Sequence, residues 1–147
     1  MNNTPTPAPN EEYADAEELF QEPCTLHVCT SCRPPGAPRE PKASRAGYML
    51  YQELRAAVQG SPLKDLVQVQ AAECLSVCRR PCGISLSRPG SWTYLFGDQH
   101  PTTGPHDILE CISLYLDSPK GFMARESRPK TLRGSILGRV PAIKGGN

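Results

Sequence analysis

No stretch of this sequence approaches the roughly 20 consecutive apolar residues that a membrane-spanning helix needs, so no membrane association is expected. The opening residues MNNTPTPAPNEEYADAEELF hold neither a basic leader nor an apolar run, which leaves no secretory signal to read and points to the cytoplasm. Charge of one sign is not in excess, the formal net charge being +1. There is no internal repeat and no glycine-rich phosphate loop, and no nucleophile, base and orienting acid stand at a recognisable spacing. Hydrolase and kinase chemistry therefore has no support, and the chain is expected to be a carrier or metal-binding protein rather than an enzyme.

What is present is 7 cysteines, 16 prolines and 12 glycines in 147 residues. In a reducing compartment, cysteine-rich loops hold metal or do redox work more often than they form structural disulfides. The odd number also argues against a fully paired framework. Prolines and acids open the chain: residues 1–23 carry six acids and no base, and read as a disordered, proline-rich arm. Residues 120–147 carry seven bases and one acid, and read as a flexible basic tail. A compact domain is expected between them, over residues 24–119.

Within that domain Thr25-Leu26-His27-Val28 alternates and predicts a strand running into Cys29-Thr30-Ser31-Cys32. From Ala46 to Val58 the residues Leu50, Tyr51, Leu54, Ala57 and Val58 form one helical stripe, stopped by Gly60-Ser61-Pro62. Val67, Val69 and Ala71 predict a second strand that ends at Cys74. Ile84 to Leu86 and Trp92 to Phe96, on either side of Arg88-Pro89-Gly90, predict a hairpin. Pro105 opens a last helix carrying Ile108, Leu109, Ile112, Tyr115 and Leu116. The order is strand, helix, strand, then hairpin and helix, an α/β chain of thioredoxin-like connectivity with a parallel first pair.

Cys29-x2-Cys32 follows the first strand, and Cys74-x3-Cys78-x3-Cys82 follows the second. Parallel neighbours would bring the two loops to one end of the sheet, where four thiolates can enclose a tetrahedral ion or a two-iron cluster. The geometry favours Cys29, Cys32, Cys74 and Cys78, with Cys82 a possible substitute for Cys32. A dithiol oxidoreductase would place the first CxxC cysteine at a helix start, which the following Arg33-Pro34-Pro35-Gly36 disfavours. Cys24-x4-Cys29-x2-Cys32 matches a plant-type ferredoxin spacing, but would set a cluster loop where a strand is expected.

Arg33, Arg79 and Arg80 border the cysteine loops, where they would offset thiolate charge. Cys111 lies on the stripe of the last helix and is assigned to the core. His27, His100 and His106 lack ligand spacing to one another. Trp92, Tyr94 and Phe96 alternate as packing residues, and no nucleic-acid partner is expected. Arg125, Arg128, Lys130, Arg133 and Arg139 surround Ile136-Leu137 in the tail, which would dock on an acidic surface, either a redox partner's or the chain's own N-terminal arm.

At Val28-Cys29-Thr30 and at Val69-x4-Cys74-Leu75-x2-Cys78-x2-Pro81 the chain resembles the thioredoxin-like 2Fe-2S ferredoxins. That resemblance implies a one-electron carrier holding a 2Fe-2S cluster on Cys29, Cys32, Cys74 and Cys78, with a redox partner protein and a plausible homodimer. The first pair is closer together than the family's. Zinc (Zn2+) or another thiophilic metal, structural or delivered, is the alternative. Over Leu26 to Pro141 the motifs VCTSC, CLSVCRRPC, SWTYLFGD and RP-x2-LR-x5-RVP resemble a bacterial family of predicted metal-binding proteins often encoded near cobalamin-biosynthesis genes, which implies bacterial origin and a cobalamin link.

Overall fold

The computed structural model describes residues 23–143. The expected acidic arm, all but its last residue, lies outside the described residues. Five strands form one sheet: β1 (Cys24–Cys29), β2 (Val67–Ala72), β3 (Ile84–Ser87), β4 (Thr93–Phe96) and β5 (Ile136–Val140). Two helices accompany them, α1 (Ala46–Gln59) between β1 and β2, and α2 (Gly104–Asp117) after β4. The spatial order is β2-β1-β3-β4-β5. β1 and β2 are parallel, with Cys24 opposite Val67 and Cys29 opposite Ala72, while every other pairing is antiparallel. The expected order of strand, helix, strand, hairpin and helix is therefore present. Among the described residues no helix is long and apolar enough to cross a membrane.

Strand alternation decides which face is buried, because neighbouring residues point to opposite sides of a sheet. Leu26, Val28, Ile84, Leu86, Tyr94 and Phe96 are all buried and share one face through their register, Leu26 opposite Leu86 and Leu86 opposite Tyr94. The intervening residues Thr25, His27, Ser85 and Ser87 are half-buried, and Gln68 and Gln70 are exposed. The two helices pack on each other over the apolar face, α1 through Leu50, Leu54 and Val58 and α2 through Ile108, Cys111, Ile112 and Tyr115. Tyr94 meets Tyr115 edge to face at 6.2 Å, which fastens α2 to β4. At the hairpin, Gly90 takes φ +74°, a conformation that glycine adopts without steric cost.

Residues 120–140 do not stand off as a tail. Three short 3-10 turns lead into β5, which adds a fifth strand to the sheet beside β4. Two of the tail's bases are spent on this segment. Arg128 is 4% exposed, donates to the carbonyls of Leu132 and Met123, and lies over the Tyr94 ring. Arg133 donates to the carbonyls of Arg128 and Glu126. Basic side chains here close carbonyls that the short turns leave without helical partners.

Cys111 sits where the helical stripe places it, 2% exposed with its thiol 3.6 Å from the Met123 sulfur. Burial pushes this thiol up to about 12, an effect the nearby Arg128 only partly offsets. Replacing it with serine should lower unfolding stability by about 1–3 kcal/mol, since a hydroxyl there loses water without gaining an equal partner. Urea unfolding measures the loss, and the metal content of Cys111→Ser should equal that of the parent.

Candidate metal centre

Both β1 and β2 run toward the same end of the sheet, and five of the seven cysteines, Cys29, Cys32, Cys74, Cys78 and Cys82, lie at or beyond those strand ends. Cys29 closes β1 directly beside Ala72, the last residue of β2. Its backbone amide donates to the Gly83 carbonyl at 3.0 Å, and the Thr30 amide donates to the Ala72 carbonyl at 2.8 Å. The first cysteine loop is thus pinned to both ends of the second, which spans Glu73 to Gly83. The side chain of Thr30 repeats the contact, its hydroxyl lying 3.1 Å from the Ala72 carbonyl.

A second constraint comes from the start of α1. The Gly47 amide donates to the Cys32 carbonyl at 2.8 Å, so the helix begins in contact with the loop that holds Cys32. A Cβ at Gly47 would collide with the Cys29 carbonyl oxygen and meet the Cys32 amide nitrogen at 3.0 Å. Only a residue without a side chain allows this approach. The proline-rich stretch after Cys32 keeps it out of the helix, which starts at Ala46, and the first CxxC cysteine consequently has no helix N-terminus behind it.

The thiols divide into buried and exposed groups. Cys29, Cys32 and Cys82 are 1%, 3% and 2% exposed, whereas Cys74 and Cys78 lie open to solvent. Cys29 is held well below the usual thiol range. The largest cause is a hydrogen bond from the Cys32 thiol; burial opposes it, and the backbone amides of Leu75, Ser31 and Cys32 add to it. Cys32, donating that bond and buried, is pushed the other way. Burial pushes Cys82 up to about 11, and the charge on Cys29 adds to the effect.

The second loop reaches over this group. The Leu75 amide points at the Cys29 sulfur, and the Ser76 amide at the Cys74 sulfur, 3.2 Å away. Ser76 adopts φ +60°, turning successive amides toward the sulfurs, in the manner of backbone nests that stabilise anions. Cys78 shares a cavity of about 290 Å³ with Ser31, Cys32, Arg33 and Pro35, so it faces the first loop. Cys74 and Cys78 also line a larger open hollow of about 610 Å³ with Val77, Arg79, Arg80, Leu95 and Leu137.

Each expected site residue can now be placed. Cys29, Cys32, Cys74 and Cys78 belong to one end of the sheet, and Cys82 joins them from beneath. Cys24 is at the far end of β1, fully buried, with its thiol raised to about 11 by burial against the opposing effect of Arg88. Arg33 donates to the Ala37 carbonyl within the first loop. Arg80 pairs with Asp98 and also reaches the Gly134 carbonyl at 3.1 Å, bracing the second loop against the turn before β5. Arg79 is exposed. His27 is on the outer sheet face, and His100 accepts backbone amides from Thr102 and Thr103.

Among the described residues, one set of three potential donors has all its atoms within 4.8 Å of one another: His106, Asp107 and Glu110 on the surface of α2. The sulfurs are spread more widely. What the sequence reading missed is the role of Gly47, which nothing in the spacing marks except that glycine is a poor choice inside a helix.

The donor set is chemically consistent with a metal-thiolate group. Five cysteines from two loops stand at one end of the sheet, three buried and two exposed, and backbone amides point at two of their sulfurs. Soft thiolates select zinc, copper(I) or iron-sulfur clusters. A protein-family model described as "Protein of unknown function (DUF1636)" matches residues 26–142. No curated protein matches the chain at significant sequence similarity. Among solved structures, a thioredoxin-like [2Fe-2S] ferredoxin from Aquifex aeolicus is similar at 19% identity and a TM-score of 0.52, over 84% of this chain and 99% of that one. A second, wild-type structure of a ferredoxin so described, also from Aquifex aeolicus, gives 21% identity and 0.51 over 80% and 98%. At these identities the likeness is one of fold, and the fold is thioredoxin-like.

Alanine at position 47 should stabilise a helix by about 1 kcal/mol on propensity alone. The collision with loop backbone opposes this, and overpacking of that kind costs about 1–3 kcal/mol. Gly47→Ala is therefore expected to lower stability in urea unfolding and to reduce bound metal per chain. A more stable, fully loaded variant would show that the close approach is not required.

Proposed function

This chain belongs to the DUF1636 family, and we propose that it holds a 2Fe-2S cluster on Cys29, Cys32, Cys74 and Cys78 and acts as a one-electron carrier. The observation that carries the reading is the convergence of two cysteine loops at one end of a parallel strand pair, on a fold shared with 2Fe-2S ferredoxins. A cluster of this type would supply reversible one-electron transfer without substrate chemistry.

The protein's own residues have definable tasks in this reading. Cys29 and Cys32 hold the group from the dry side, with the amides of Ser31, Cys32 and Leu75 stabilising thiolate charge. Cys74 and Cys78 cover it from the solvent side. Electrons would leave through that exposed loop, beside the hollow lined by Val77, Leu95 and Leu137, where a redox partner protein can approach closely. A tetrahedral zinc ion held by the same four thiolates, with bonds of about 2.3 Å, is the alternative occupant of this donor set.

Anaerobic purification followed by iron, sulfide and zinc analysis with an absorption spectrum tests the proposal. Iron and acid-labile sulfide in equal amounts, with visible absorption bleached by reduction, are expected. Zinc in a colourless protein would replace the cluster reading with a zinc site. Single serine variants assign the ligands: Cys29→Ser, Cys74→Ser and Cys78→Ser should each lose most bound metal, and Cys24→Ser should retain it. Loss in Cys82→Ser together with retention in Cys32→Ser would move the fourth position to Cys82.

A further inference from the structure

Away from the cysteines, a groove of about 630 Å³ runs along the last strand between Phe122–Arg128 and Ile136–Arg139. Its floor is apolar, with Met123 buried and Phe122 42% exposed. One wall is β5, which closes the sheet and pairs with β4 alone. Edge strands of this kind accept an extended segment alongside them. The rim is basic. Arg139 lies over both Trp92 and Phe122, 5.2 and 5.0 Å from their ring centres, and Arg125 is exposed beside it. Glu126 is the acid on the rim. Arg128 and Arg133 donate to backbone carbonyls, whereas Arg125 and Arg139 have no acidic partner among the described residues.

The chain itself carries a segment of complementary chemistry. Residues 11–18 read Glu-Glu-Tyr-Ala-Asp-Ala-Glu-Glu, five acids around an aromatic ring, in a stretch of 1–22 that holds no base. That stretch joins the fold at Pro23 and Cys24, the start of β1. By register, Cys24 lies at the same end of the sheet as Ser87, Thr93 and Val140. Three strand spacings separate β1 from β5, roughly 14 Å, which about five extended residues span. Five residues, 18–22, have the contour length to cover that distance, which gives residues 11–17 the reach to meet the groove.

We propose that the acidic segment around Glu11, Glu12, Tyr13 and Asp15 occupies this groove in the same molecule. Its carboxylates meet Arg125 and Arg139, and its backbone follows the open edge of β5. The segment then shields Phe122 and Trp92 from water. Because the contacts are surface ion pairs, they weaken as salt rises.

Trp92 is the single tryptophan of the chain and stacks under Arg139, so its emission reports the groove directly. The test compares the full chain with a full-length variant carrying Glu11→Gln, Glu12→Gln, Asp15→Asn, Glu17→Gln and Glu18→Gln. At low salt the variant should emit at longer wavelength. Raising salt to about 1 M, where screening acts within about 3 Å, should bring the parent to the variant's position. In an Arg125→Gln, Arg139→Gln background the acid substitutions should produce no shift. Identical low-salt spectra of parent and arm variant would overturn the proposal. So would a difference that grows with protein concentration, because the segment in the groove would then come from another copy.

Discussion

The parallel pairing of β1 with β2 is the constraint on which the site depends. An antiparallel pair would send the two strand ends to opposite edges of the domain, and the loops that follow them would never meet. Parallel strands need a long crossover, and α1 supplies it. The crossover must also begin close to where β1 stops, because the chain turns back through a proline-rich loop before the helix starts. The register of Cys29 with Ala72 fixes where the loops emerge, and the Thr30 and Gly83 hydrogen bonds fix their spacing. Gly47 then lets the helix approach the first loop at backbone distance.

Burial and charge oppose each other at such a site, and the arrangement of cysteines answers both. Three thiols at 1–3% exposure would be poor thiolates if left to desolvation alone, as Cys32 and Cys82 show. Cys29 departs from that trend because a neighbouring thiol and three amides donate to its sulfur. Hydrogen bonds to the charged form can outweigh burial when several converge. Backbone amides supply this more rigidly than lysine or arginine side chains would. Of the arginines near the loops, Arg80 is engaged with Asp98 and Arg33 with a carbonyl of its own loop, so they serve mainly to hold loop shape.

Much of this was legible in the sequence, and the misses have physical causes. The helices were plain because Leu50, Leu54 and Val58, and Ile108, Ile112 and Tyr115, each recur at helical spacing. β1 and the hairpin alternated clearly. β5 was not visible, since Ile136-Leu137-Gly138-Arg139-Val140 places glycine and arginine where a strand usually carries branched residues, and its pairing depends on β4 rather than on its own pattern. The seven bases after residue 119 read as a solvated tail because composition does not reveal that a guanidinium can close backbone carbonyls, as Arg128 and Arg133 do. Loop cysteines were legible as a group. Their division into buried and exposed members was not, because burial in a loop follows from the path of the chain.

That division bears on why a fifth thiol sits beneath the site. Cys82 follows Pro81 and packs directly under the strand ends; its amide donates to the Gln99 carbonyl at 3.2 Å and its carbonyl accepts from the Gln99 amide at 3.1 Å. This reciprocal pair binds the end of the second loop to the turn after β4, independently of any metal. The Cys82 backbone is therefore committed to structure, while Cys74 and Cys78 belong to a stretch held mainly by local turns such as the Arg80 amide on the Val77 carbonyl. In the proposed cluster site, Cys74 and Cys78 would bind from the exposed loop, while Cys82, buried and tied to the turn after β4, would fill the floor rather than reach across it.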